Sequence, residues 1–179
     1  MLEIMKHVYS FCTKAKREQI ENLKRHLDNP VSSSNRYDDS PSIDKTGDKQ
    51  ISQLLENCVK MRTKATILNL QKEYSKLMTK ARYADRLPDY TNKCIEVCWL
   101  MNTHSPPLVF AEPVSSGEHY NKDQYKEFTK QGDTVSFIVW LPMLIEENGA
   151  ILSKGVVQPV PSLKSEPRRG RAVSAKTKT

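Results

Sequence analysis

Apolar residues recur at three- and four-residue steps from the start of the chain: Ile4, Met5, Val8, Phe11, Cys12 and Ala15, then Ile20, Leu23 and Leu27. That period is one face of an α-helix and predicts a first helix over residues 2–27. Asn29-Pro30 ends it, because the residue before proline avoids helical backbone. Ile51, Leu54, Leu55, Cys58, Met61, Ala65 and Leu68 form a second stripe, which drifts to Leu70, Tyr74, Leu77, Met78 and Ala81. It predicts one long helix, capped by Asp48 and running to about residue 84, antiparallel to the first. The sustained stripe also allows a coiled-coil partner from another chain, but it is broader than a strict coiled-coil seam, which favours packing within the chain. A third helix is expected over residues 90–103, capped by Asp89, with Cys94, Ile95, Cys98, Trp99 and Met101 as its apolar residues.

The pattern then changes. Leu108-Val109-Phe110 reads as a short strand or buried anchor, and residues 113–117 as a turn. Asn121 reads as the cap of a short helix carrying Tyr125 and Phe128 and ending near Gly132. Residues 135–161 are the most apolar stretch of the chain. Two runs, 135–145 and 150–157, flank the turn Glu146-Glu147-Asn148-Gly149. The first run is rich in Val, Ile, Phe and Trp, which suit a half-buried pleated surface. Asn and Gly tolerate the positive φ of tight turns, so the stretch predicts a β-hairpin. Pro142 has no N–H to donate and marks an edge, a bulge or the end of the first strand. Gly155 marks a bulge or a close backbone approach. A lone hairpin is marginal in water, so the helices are expected to cover it.

Residues 30–47 lack periodicity and are dominated by Ser, Asn, Asp, Pro and Gly, the composition of a flexible loop. Residues 159–179 have almost no apolar residues and read as a disordered tail. The expected architecture is therefore α+β and mainly helical. Two long antiparallel helices and a third pack against a C-terminal β-hairpin in one domain, residues 1–158, followed by the basic tail.

Charge sharpens this division. The net charge is +7 on 179 residues, with 37% hydrophobic residues. Residues 159–179 hold Lys164, Arg168, Arg169, Arg171, Lys176 and Lys178 against the single acid Glu166, a net +5 that leaves +2 for the rest. The basicity that attracts anionic lipid or nucleic acid thus sits mostly in the tail. On the first helix, Lys14, Lys16, Arg17, Lys24 and Arg25 share the polar face with Glu18 and Glu21. That face fits a lipid or phosphate surface, although salt pairs on a solvated face are the commoner reason for such a pattern. The longest apolar run, 137–145, is too short to cross a bilayer, and the N-terminal residues lack secretory or transit-peptide character. The four cysteines, Cys12, Cys58, Cys94 and Cys98, fall on helical stripes and read as reduced, buried thiols.

Little in the chain carries catalysis. There is no Gly-rich phosphate loop, no nucleophile elbow, no HExxH and no paired CxxC. Cys94 and Cys98, with His104 or His7, are a conceivable ligand set, but two helical thiols four residues apart are more often core. Trp99 and Trp140 read as core residues with their N–H groups satisfied at its margin. No cofactor is implied.

The residues CWLMNTHSPPLVFAEP, and YNKDQYKEFTKQGDTVSFIVWLPMLIEENGAILSKGVVQP, resemble the C-terminal domain of the mitochondria-eating protein family. The matching elements are Cys-Trp-Leu-Met at 98–101, the proline-bounded strand at 107–113 and the Tyr/Phe segment up to Gly132. The apolar strand ending at Pro142, the acidic turn at 146–149, and Leu-Ser-Lys-Gly-Val at 152–156 with Gln158 complete the match. Leu141 stands between Trp140 and Pro142, where the family has Trp-Pro directly. The family also carries a long coiled coil ahead of this region; a helix pair precedes it here, which reads as a shortened version.

The resemblance implies a non-enzymatic protein of mitochondrial quality control with no small-molecule substrate. It implies association with the cytoplasm, the outer mitochondrial membrane and, under stress, the mitochondrial interior. Cardiolipin and outer-membrane proteins are the implied partners, with self-association a further expectation. Lys14, Lys16, Arg17, Lys154, Arg168, Arg169 and Arg171 are the expected lipid- or partner-binding residues. The alternative reading is non-specific nucleic-acid binding through the tail, which has arginines for phosphate but no aromatics to stack on bases.

Overall fold

The computed structural model describes residues 1–28, 45–78 and 87–160. In chain order the elements are α1 (Leu2–Asp28), α2 (Lys45–Met61), α3 (Thr63–Met78), α4 (Pro88–Thr103), β1 (Val109–Phe110), β2 (Tyr125–Glu127), β3 (Thr134–Trp140), β4 (Met143–Leu144), β5 (Ile151–Ser153) and β6 (Gly155–Val160). The α+β architecture expected from the sequence is what forms. Most of the loop expected at 30–47 and of the tail lies outside the described residues.

The stripe of α1 is buried where it meets α4. Met5, Val8 and Cys12 pack on Cys94, Ile95, Cys98 and Trp99, and Val59, Leu70 and Tyr74 close the cluster from α2 and α3. Trp99 is fully buried, and its indole N–H has no hydrogen-bond partner among the described residues. The expected partner at the core margin is absent because the ring lies inside the cluster rather than at its edge. α1 and α2 lie antiparallel and are joined by two ion pairs, Lys16 with Glu56 at 3.6 Å and Lys24 with Asp48 at 3.5 Å.

Several boundaries differ from the periodicity. The second helix starts at Lys45, three residues before Asp48, which therefore lies in the first turn instead of capping it. The expected long helix is divided at Arg62 into α2 and α3. Hydrogen bonds from Arg62 N to Cys58 O and from Thr66 N to Arg62 O, 3.2 and 3.0 Å, carry the chain across the division, so the apolar stripe passes it undisturbed. Residues 79–86, where the helix was expected to end, lie outside the described residues. The fourth helix starts at Pro88, whose fixed φ suits a first helical position, with Leu87 and not Asp89 in the cap position.

The hairpin forms, but it is bent and shared between two sheets. β3 pairs antiparallel with β6, and β4 with β5, so both arms are interrupted at the same level. Pro142 breaks one arm and Lys154 the other. At the bend the strands touch: a Cβ on Gly155 would lie 2.7 Å from Pro142 Cδ and from Trp140 O, so only glycine fits. The tip is a four-residue loop in which Asn148 takes the positive φ of 59°. Gly149 N donates to Glu146 O at 2.9 Å, and Ile145 N to Ala150 O at 3.0 Å.

Residues 125–127, expected in a short helix, are a strand. β2 runs parallel to β6, giving the sheet order β2-β6-β3, while β1-β4-β5 form the other sheet. Asn121 closes a turn instead of capping a helix, its Oδ1 accepting from Asp123 N at 2.8 Å. Pairing with an exposed edge of β6 outcompetes one turn of isolated helix, which is costly to nucleate. It also creates a second core of Tyr120, Tyr125, Val135 and Val157. The helices meet the hairpin at its Trp140 end, where Phe110 stacks edge-on between Tyr9 and Trp140 with ring centroids 5.2 and 6.4 Å apart. β6 continues through Pro159 and Val160, paired with Val135 and Thr134.

Candidate functional site

A groove of about 490 Å³ runs beside α1. Thr13, Lys16, Arg17, Ile20, Glu21 and Lys24 line it from the helix, since steps of three and four residues return to one face. Asn102, at the end of α4, Pro107, and Val109, the first residue of β1, form the opposite wall. Tyr9, Ile20, Pro107 and Val109 give an apolar floor under a rim of three cations and one acid, Glu21. Tyr9 is fixed by its hydroxyl, which donates to Leu108 O at 3.2 Å, and burial pushes its phenol above the usual range.

The cations are held differently. Lys16 Nζ donates to Asn102 O at 2.9 Å and lies 3.6 Å from Glu56, with only 12% of its side chain exposed. Asn102 O is one of the last carbonyls of α4, where the helix dipole favours a cation. Arg17 makes only a 4.0 Å contact to Glu21, with both side chains exposed. Lys24 faces Asp48. Surface pairs of this sort contribute about 0–1 kcal/mol each and open readily, so Arg17 is the rim cation most available to an anion.

The sequence-derived residues do not form one site. Lys16 and Arg17 meet in the groove. Lys14 turns to the neighbouring face, 3.7 Å from Glu18. Lys154 sits on the bent hairpin, where its Nζ donates to Lys122 O at 2.9 Å and ties the bend to the loop before β2. Arg168, Arg169 and Arg171 lie outside the described residues. Lys24, placed by the sequence on the same polar face but not among the expected binding residues, joins Lys16 and Arg17 in the groove, seven residues after Arg17. Nothing local marked Asn102 or Val109, which enter only because α4 and β1 pack on α1.

The groove offers charge and an apolar surface rather than reactive groups. Its Thr13 hydroxyl donates to Tyr9 O at 2.9 Å, and its Tyr9 hydroxyl is bound to Leu108 O. Cys94 and Cys98 are buried core thiols, and among the described residues no three His, Cys, Asp or Glu side chains are grouped to hold a metal. Cys58, expected to be buried, is exposed, because α2 turns Leu55 and Val59 inward instead. Among the described residues no helix is long and apolar enough to cross a membrane.

A protein-family model described as "Mitochondria-eating protein" matches residues 1–159. No curated protein and no solved structure matches the chain.

Proposed function

The chain belongs to the mitochondria-eating protein family, a non-enzymatic family of mitochondrial quality control, and we propose that it acts there as a module docking on anionic phospholipid such as cardiolipin. The observation that carries this reading is the α1 groove, in which Lys16, Arg17 and Lys24 rim an apolar floor. A diacyl phosphate headgroup presents the matching surface, negative charge above hydrocarbon. The arginines at 168, 169 and 171 add to it, since each Lys or Arg close to an anionic membrane is worth about 1 kcal/mol. On this reading the protein works at the cytoplasmic face of the outer mitochondrial membrane, where membrane proteins are its further partners.

Co-sedimentation with vesicles, with and without cardiolipin, tests the proposal at low and physiological salt. The full chain is expected to pellet with cardiolipin vesicles and to weaken as salt screens the contact. Arg17→Ala with Lys24→Ala, and separately removal of residues 161–179, are expected to reduce binding. Equal binding to neutral vesicles, or none to either, would overturn the reading.

A further inference from the structure

The apolar residues of α2 divide between two faces. Leu55 and Val59, 6% and 1% exposed, face the fold. Ile51, Leu54, Cys58 and Met61 face outward, with Leu54 63% and Met61 85% exposed. Their spacing alternates three and four residues, and Leu68, 58% exposed, falls seven residues after Met61. A stripe with that step is the seam that seats a single partner helix. Charge around it is one-sided. Asp48 and Glu56, the acids of α2, are each bound by a lysine of α1. Arg62 and Lys64, at the end of the stripe, are exposed and have no acidic partner among the described residues.

We propose that this stripe seats an amphipathic helix of a partner protein that carries acidic residues beside its apolar seam. The three-four spacing specifies the helix, and Arg62 and Lys64, which have no acidic partner among the described residues, specify the acid. A second copy of the chain fits worse. Parallel pairing sets Arg62 and Lys64 against their own counterparts, and in antiparallel pairing the acids of α2, Asp48 and Glu56, are already bound by lysines of α1. The segments 29–44, 79–86 and 161–179 cannot supply the seam, since their aliphatic residues beyond alanine are only Val31, Ile43, Leu163 and Val173. A bilayer surface calls for a broad apolar face, and this one is narrow because Leu55 and Val59 are already buried. The stripe shares no residue with the α1 groove, so the inference stands apart from lipid docking.

The test uses the full chain and a fluorescent model peptide, helical, with leucines at seam spacing and glutamates beside them. A matched peptide carries lysines in place of the glutamates. The acidic peptide is expected to bind saturably at micromolar concentration, about tenfold or more tighter than the basic one. Binding is expected to slow alkylation of Cys58. The double variant Leu54→Gln, Met61→Gln is expected to lose about tenfold or more in affinity, with its urea midpoint unchanged because both side chains are exposed. Absence of saturable binding, equal affinity for the two peptides, or binding indifferent to the double variant would overturn the proposal. So would sedimentation showing a dimer that the double variant abolishes, or vesicle adsorption that depends on the same two residues.

Discussion

The ammonium of Lys16 lies 2.9 Å from the carbonyl oxygen of Asn102, joining the middle of the first helix to the end of the fourth. Lys14, two residues earlier, carries the same charge but among the described residues reaches only Glu18 on its own helix. A charge-assisted hydrogen bond away from bulk water contributes about 1.5–3 kcal/mol, while an exposed pair within a helix contributes about 0.3–0.5 kcal/mol. Lys16→Ala is therefore expected to destabilise by about 1–2 kcal/mol, and Lys14→Ala by less than about 0.5 kcal/mol. Urea unfolding of both variants distinguishes them, and equal costs would show that the Lys16–Asn102 contact contributes little.

Gly155 is expected to be intolerant of any side chain. Its Cβ would meet backbone and ring atoms of Trp140 and Pro142 at 2.7 Å, so the two arms of the hairpin would have to separate. Forced overpacking costs about 1–3 kcal/mol, and Gly155→Ala should lose that much in chemical denaturation. Gly47→Ala is the control: no atom lies within 4 Å of its Cβ, and in a helix it should be neutral or stabilising by up to about 1 kcal/mol.

Thiol chemistry should separate Cys58 from the rest. Cys12, Cys94 and Cys98 are buried and Cys58 is exposed. In the native protein a polar alkylating reagent should modify Cys58 alone, with the other three reacting only after unfolding. Mass spectrometry after a short pulse reads this directly, and rapid labelling of Cys12 or Cys98 would mean that the α1–α4 contact opens readily.

Stability should fall in alkali. Burial pushes the Cys12 thiol from 9.0 up to about 12, and the Tyr74 phenol from 10.0 up to about 12. Both groups keep their protons in the folded state longer than in the unfolded one. The stability they contribute is complete below about pH 9 and is lost as pH rises toward 12, because only the unfolded chain releases the protons. The urea midpoint is expected to be level from pH 7 to 8.5 and to decline by pH 10.5. The decline should be shallower in Cys12→Ala; an identical slope would remove that thiol as a cause.

The helices were legible because their signal is local. Met5, Val8 and Cys12 lie on one face at any helical geometry, and a proline or a loop ends each run wherever it folds. The hairpin was legible for a similar reason, through two β-rich runs around Asn148-Gly149. The short strand at Tyr125–Glu127 was not. Its partner, β6, lies nearly thirty residues away in sequence, and no feature of Tyr125-Lys126-Glu127 announces a parallel neighbour. The groove was half legible. Lys16 and Arg17 follow from the face of α1, but Asn102, Pro107 and Val109 become its other wall only through packing.

The sequence by itself determined the helical faces, the hairpin with its glycine and proline marks, and the family to which the chain belongs, all carried by residues near one another in the chain. Tertiary structure decided which part of each stripe is buried and which faces out, where the hairpin bends, and which of the basic residues stand together. Those outcomes depend on which surfaces meet, and several cover choices are compatible with one apolar stripe. Leu55 and Leu54 are adjacent and chemically identical, yet one is 6% exposed and the other 63%, because α1 and α4 lie on one side of α2 alone.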